Sequence, residues 1–421
     1  MSMTSRERLI AALNHRQPDR VCVDFGGTFI SGIHISIAHR LKQRLLGPGA
    51  GLIKVTEPYQ MLGEVDAELR AALGVDVAGI YPSKNLFGYA AKDWKPFTLF
   101  DGTPCLVPGN FNVTPAEDGG WLMYPEGDLS VPPSGHMPKD AYFFDAIIRQ
   151  EPIDEEKLNP ADNLEEFGLF TAADIAYYQA QAKWIDENAP TTGIILMVPG
   201  TAFGDIALVP APFLKHPKGI RDITEWYVST AARPEYVHAI FEKQCEYGLQ
   251  NLETLIGIFG DRVQAAVITG TDFGTQCSLF ISPDAYRTMF KPYHQRINDL
   301  VHAKSNWKTF IHSCGAVFPL IPDFIAAGFD ILNPVQCSAT GMDPVQLKKT
   351  FGREITFWGG CVNTQHTMYQ TPEAVYREVR ERIDIFNQDG GFVCNAVHNI
   401  QGNSPIDNVL AMFRAIHDSA Q

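Results

Sequence analysis

Apolar residues recur along this chain in two rhythms, one helical and one strand-like, and the two alternate. Thr4-Ser5-Arg6-Glu7 reads as a capping box, in which the Thr4 hydroxyl and Glu7 satisfy free N–H groups. Leu9, Ile10 and Leu13 continue as a helical stripe that stops before Pro18. Val21 to Phe25 is a compact apolar run broken by Gly26-Gly27-Thr28, where glycine permits a sharp turn or close approach to a ligand. The spacing then predicts helices over His34 to Leu46 and Glu57 to Leu73, and a strand over Val75 to Tyr81.

Between residues 82 and 167 the texture changes. Trp94, Phe97, Phe100, Trp121, Tyr124 and Tyr142-Phe143-Phe144 are interleaved with Asp101-Gly102, Asp118-Gly119-Gly120 and Pro132-Pro133. Aromatic runs cut by such turns predict short antiparallel strands. This segment reads as a β-rich insertion after the second strand, a lid or docking surface within one domain spanning 1–421.

From residue 168 onward, strands and helices alternate. Strands are expected at Thr192 to Gly200, Ala265 to Asp272, Trp307 to Gly315, Phe329 to Gln336, Ile355 to Val362 and Gly391 to Asn399. Between them fall helices at Ala172 to Asn188, Ile220 to Val228, Pro234 to Ile256, Pro283 to Ala303, Pro319 to Ala327, Pro344 to Phe351 and Thr371 to Asn387. A last helix, Ile406 to Ser419, closes the chain. With Val21 and Val75 there are eight strands, which predicts a (β/α)8 TIM barrel. The competing doubly wound sheet lacks its Gly-x-Gly-x-x-Gly loop after the first strand. Asp76 is expected to be a turn acid near the start of its strand; the alternative puts it at the barrel mouth.

Composition narrows the function. The 421 residues are 45% hydrophobic and 19% charged, the balance of a soluble globular protein with a sizeable core. A formal net charge of −14 and no basic run argue against nucleic acid and favour a small ligand or protein partner. Eight cysteines spread through a long chain without a secretory signal read as reduced thiols in a cytoplasmic protein. No stretch is long and apolar enough for a membrane span.

Chemistry in such a barrel belongs at the carboxyl ends of its strands. Those ends carry Asp272 and Gln276, His312-Ser313-Cys314, Asn333 and Gln336, Cys361, and His398-Asn399-Ile400-Gln401. His312 and Cys314 are two apart on a strand and project together; imidazole and thiolate are both zinc ligands. Cys361 and His398 are the candidates for a third ligand, with Cys394 behind them; thiolate softness favours Cys361. Asp272 either caps the turn at Phe273-Gly274, or orients substrate, acts as acid or base, or supports a ligand.

These strand ends resemble the uroporphyrinogen decarboxylase superfamily. The likeness rests on Asp272-Phe273-Gly274-Thr275-Gln276, Ser282-Pro283 with Tyr286, His312-Ser313-Cys314-Gly315, Asn333-Pro334-Val335-Gln336, Gly359-Gly360 and Ser404-Pro405-Ile406-Asp407-Asn408. The resemblance implies a (β/α)8 barrel. True decarboxylases carry an early Arg-Gln-Ala-Gly-Arg-Tyr signature for substrate carboxylates, where this chain reads Asp24-Phe25-Gly26-Gly27-Thr28-Phe29-Ile30. The corrinoid-dependent methyltransferase branch instead uses His-x-Cys and a later Cys to hold zinc. His312 and Cys314 match the first part; counting back from Ser404-Pro405 puts His398 at the later position. The His398-Asn399-Ile400-Gln401 segment resembles a subgroup of O-demethylases in that branch.

The resemblance thus implies a zinc methyltransferase moving a methyl group between a methyl ether or thiol and a corrinoid (cobalamin). Asp272, Gln276, Asn333 and Gln336 are its candidate catalytic residues. No Asp-x-His-x-x-Gly loop for holding a corrinoid is present, so a separate corrinoid protein is expected as partner; a homo-oligomer is also admitted. A cofactor-free decarboxylase and a ligand-binding barrel without turnover are the alternatives.

Overall fold

Thr4 caps the first helix, Ser5–Leu13, with the reciprocal Thr4–Glu7 bonds of a capping box. Leu9, Ala12 and Leu13 from that helix plug one end of a parallel barrel. The computed structural model describes residues 2–419. Its eight central strands are β1 (Cys22–Val23), β2 (Val77–Ile80), β3 (Gly193–Met197), β4 (Ala265–Thr269), β5 (Lys308–His312), β6 (Ile331–Asn333), β7 (Thr356–Trp358) and β8 (Phe392–Cys394). They pair in chain order from β2 to β8, and β8 pairs with β1, all in parallel. Ile195, Val267, Phe310, Ile331, Trp358 and Val393 fill the interior, as layered barrel cores require.

The seam between β1 and β2 is held just below β2. Asp76 N–H donates to the Val23 carbonyl at 2.8 Å, and Val23 N–H donates to Asp76 Oδ2 at 3.0 Å. The same buried carboxylate takes Arg8 at 2.7 Å, Arg20 at 2.8 Å and the Ser5 hydroxyl at 2.8 Å. Asp76 is therefore more than the expected turn acid. It ties the first helix and both edge strands together at the end of the barrel away from the strand carboxyl ends.

The β-rich insertion follows β2 as expected. Lys95–Thr98 pairs with Pro104–Val107, and a four-stranded antiparallel sheet runs through Val113–Pro115, Trp121–Met123, Gly135–Met137 and Asp145–Ala146. Tyr142 from this segment sets its carbonyl 2.8 Å from His34 Nε2. The insertion therefore packs beside the loop after β8, because His34 N–H donates to Ile400 O at 2.8 Å.

Two expected helices differ. Of the stretch from Glu57 to Leu73, only Ala67–Leu73 is helical. Val55–Glu57 and Leu62–Gly63 are strands of a small antiparallel sheet with Ile33–His34. The Glu57 carboxylate accepts from the N–H groups of Tyr59 and Gln60 and turns the chain, and Asp66 caps the later helix through Leu69 N–H. The helix expected from Pro283 to Ala303 divides at Phe290, before Pro292, into Pro283–Met289 and Lys291–Lys304. Among the described residues, no helix is long and apolar enough to cross a membrane.

Candidate metal centre

β5 ends on His312, and the chain turns immediately after it. Cys314 follows in that turn, and His398 reaches the same point from the loop after β8. One ligand atom from each of the three lies within 4.8 Å of the others. His312 Nε2 and Cys314 Sγ are 3.4 Å apart, and the two imidazole rings meet edge to face with centroids 5.7 Å apart. Tetrahedral zinc, with bonds of about 2.0–2.3 Å, spaces its donors roughly 3.3–3.8 Å apart. The donor set therefore fits such an ion with small adjustments.

A network beneath the cluster orients it. Asn333, at the end of β6, donates from Nδ2 to the Trp358 carbonyl at 2.8 Å. That fixes the amide, so its Oδ1 faces His312 Nδ1 at 2.6 Å and the proton resides on Nδ1. The Nε2 lone pair is thereby turned to the site, the arrangement common to metal-binding histidines.

Asp272 Oδ1 accepts from Cys314 N–H at 2.7 Å and lies 3.9 Å from His312 Nε2. Gln336 Oε1 accepts from Gly315 N–H at 2.9 Å, while Gln336 Nε2 donates to Gln276 Oε1 at 2.7 Å. Gly315 has φ +90°, and a Cβ there would meet the Thr275 carbonyl oxygen. Only glycine suits that turn. Asp272, Gln276, Asn333 and Gln336, taken from the sequence as catalytic candidates, thus converge here. Asn333 holds His312, Asp272 and Gln336 hold the turn, and Gln276 braces Gln336.

Burial pushes the Cys314 thiol well above its ordinary range, and the Asp272 carboxylate beside it adds to the rise. Burial, then the neighbouring His312, lowers His398 to about 3. His398 is accordingly neutral, as a ligand must be, whereas Cys314 holds its proton until a cation favours the thiolate.

Cys361 does not join the cluster, which corrects its place among the candidate ligands. It is fully buried and bonded to Cys394 as a disulfide. Left-handed Gly359 and Gly360 turn the chain after β7, and Cys361 N–H then pairs with Asn395 O beside β8. Its sulfur therefore meets the end of β8. The sulfurs of Cys361 and Cys394 meet there, which removes Cys394 from contention as well.

Sequence reasoning missed Asp205. It lies in the loop after β3, where Oδ1 accepts from Ala207 N–H at 3.0 Å. Oδ2 lies over the end of β4, 2.7 Å from where a Cβ on Gly270 would begin. Burial, and then the charge of Asp272, raises this carboxyl to about 6. Tyr227, also missed, donates its hydroxyl to the Asp272 carbonyl at 3.0 Å and stacks on Phe280. The available signal was position: Asp205 follows β3 closely, as Asp272 follows β4.

A nearly closed parallel barrel with two imidazoles and a thiol gathered where its strands end is a (β/α)8 protein with a donor-rich mouth, the place where such barrels carry chemistry. Residues 211–419, from before β4 to the last helix, match the uroporphyrinogen decarboxylase family, which bears out the resemblance carried by the strand ends. A solved methyltransferase from Methanosarcina mazei shares the fold, with a TM-score of 0.54, 15% identity and 99% of each chain covered. A B12-independent methionine synthase from a Shewanella species, solved with selenomethionine, covers 95% of this chain and 97% of its own at 11% identity and a TM-score of 0.42. No protein of curated function matches the sequence.

Proposed function

We propose that this protein is a zinc-dependent methyltransferase of the uroporphyrinogen decarboxylase superfamily. It would move a methyl group between a small methyl ether or thiol and a corrinoid carried by a separate protein. The observation that carries this reading is the convergence of His312, Cys314 and His398 at the strand ends, with His312 aimed by Asn333. Three protein donors and an open fourth position are what a catalytic zinc uses. The description of the Methanosarcina mazei protein as a methyltransferase is in keeping with it.

His312 Nε2, Cys314 Sγ and a nitrogen of His398 would hold the ion. Bound there, zinc supplies a Lewis acid for an ether oxygen or a thiol sulfur. The chain's own part is to keep the His312 proton on Nδ1 through Asn333 and to fix the turn bearing Cys314 through Asp272 and Gln336. The turn is fixed before binding, so holding the ion costs little reorganisation. The insertion, held through Tyr142 and His34 against Ile400 in the loop after β8, would offer the corrinoid protein a docking surface.

Decarboxylation of a polycarboxylate is the weaker reading. Such a substrate calls for clustered cations, yet Arg8 and Arg20, which precede β1, are committed to Asp76 at the opposite end. The test is metal analysis of purified protein, with methyl transfer from methoxylated aromatics to cob(I)alamin. About one zinc per chain and demethylation are expected; a protein with no zinc sinks the proposal.

A further inference from the structure

We propose that Asn399 is a positioning residue of the metal centre, which sets His398 in place by tying the loop after β8 to the loop after β1. The inference rests on the zinc reading above and adds to it the device that holds the second imidazole.

The two imidazoles are held differently. His312 ends β5, and its ring is aimed by Asn333. His398 lies beyond the end of β8, and its ring meets that of His312 edge to face without a hydrogen-bond partner among the described residues. Its placement therefore comes from the backbone. Val397 N–H donates to Val362 O at 3.1 Å on one side, and Ile400 N–H donates to Gly32 O at 3.0 Å on the other. Between these anchors, neither His398 nor Asn399 makes a backbone–backbone hydrogen bond among the described residues.

The Asn399 side chain does the holding there. It is buried, and Oδ1 accepts from Gly32 N–H at 2.5 Å. Nδ2 donates to Phe29 O at 2.8 Å and to Gln60 Oε1 at 2.7 Å, so both of its donors are used. Gln60 Nε2 donates in turn to Phe29 O at 3.0 Å and closes the ring of bonds. Gln60 belongs to the turn that Glu57 makes in the small antiparallel sheet, and its N–H donates to that carboxylate at 2.7 Å. One amide, on the residue next to His398, thus fastens the β8 loop to two other segments. An imidazole on a fixed backbone loses less freedom on taking up an ion than one on a mobile loop.

The test measures zinc affinity by competition against a chelator, with thermal unfolding of the zinc-free proteins as the control for folding. Asn399→Ala should lower the affinity by roughly 10–100-fold, and Gln60→Ala, which removes one bond of the three, should lower it less. A double-mutant cycle with His398→Ala separates positioning from general support: once the imidazole is gone, removing Asn399 should cause no further loss. Cobalt(II) in place of zinc adds a spectroscopic readout. In Asn399→Ala the charge-transfer band from the Cys314 thiolate should remain, and the visible bands of a four-coordinate ion should weaken. Unchanged zinc affinity in Asn399→Ala, or the same loss with His398 present and absent, overturns the role of Asn399. If Asn399→Ala does not fold, the cycle is run with Gln60→Ala and judged by the same two outcomes. Wild type that binds no zinc overturns the zinc reading, and this inference with it. Wild type that binds zinc and shows the expected cycle but transfers no methyl group overturns the methyl-transfer reading and leaves the role of Asn399 standing.

Discussion

Asn333 Oδ1 lies 2.6 Å from His312 Nδ1, and the same amide is anchored by its Nδ2 to the carbonyl of Trp358. One side chain thus connects three consecutive strands, β5, β6 and β7, and decides which nitrogen of His312 faces the site. Replacing Asn333 with Ala should free the ring and lower zinc affinity by roughly 10–100-fold, the usual cost of losing such a partner. Competition against a chelator of known affinity measures it. Unchanged zinc affinity in Asn333→Ala would mean that the amide does not orient a ligand.

The third ligand can be decided by paired substitutions. His398 converges on His312 and Cys314, whereas Cys361 is bonded to Cys394. His398→Ala should abolish stoichiometric zinc, as should Cys314→Ser, and Cys361→Ser should retain it. Metal content per folded chain is the readout, and the reverse ranking would return the site to Cys361.

Much of this was legible in the chain. Clean apolar runs announce the eight strands without tertiary help, and the short helix Pro344–Phe351 falls where its proline start and its apolar spacing put it. The pairing of His312 and Cys314 was legible too from their two-residue spacing, although the strand ends at His312 and it is the turn held by Asp272 and Gln336 that brings Cys314 back to the same point. What the sequence hid were the contacts between distant segments. Asp76 looked like a turn acid because its partners Arg8 and Arg20 lie 68 and 56 residues away along the chain. Cys361 looked available because its bond to Cys394 depends on two glycines turning the chain after β7. Asp205 sits in no motif, and its closeness to Asp272 arises only when the loops after β3 and β4 come together.

Asp76 offers a stability test remote from the site. Its buried carboxylate neutralises Arg8 and Arg20 and accepts Val23 N–H across the barrel seam. Asp76→Ala leaves Arg8 paired with Asp19 alone and removes the acceptor at the seam. A loss of about 2–3 kcal/mol is expected, from the unpaired Val23 N–H and the weakened hold on Arg8. Urea unfolding of the two proteins reads the difference, and a loss below about 1 kcal/mol, the range of surface pairs, would assign the seam's strength elsewhere.

His294 gives the last prediction, and its sign follows from burial. The ring is fully buried among Phe203, Phe273 and Phe329, with Nδ1 3.1 Å from the Tyr286 hydroxyl. Burial lowers its pKa from 6.5 to about 3, so the folded protein keeps it neutral while the unfolded chain protonates it normally. Between those two values the unfolded state binds the extra proton, and stability therefore falls as pH falls. The contribution is intact above pH 6.5 and declines below it by up to about 1.4 kcal/mol per pH unit. His294→Phe removes the titrating group but leaves the Tyr286 hydroxyl without its acceptor, so it should be less stable than wild type at about pH 7. As pH drops from about 7 to about 5 the gap between the two proteins should narrow, because only wild type loses the His294 contribution. Denaturant unfolding at several pH values across that range measures the gap, and one that stays constant would show that His294 is not held neutral by the fold.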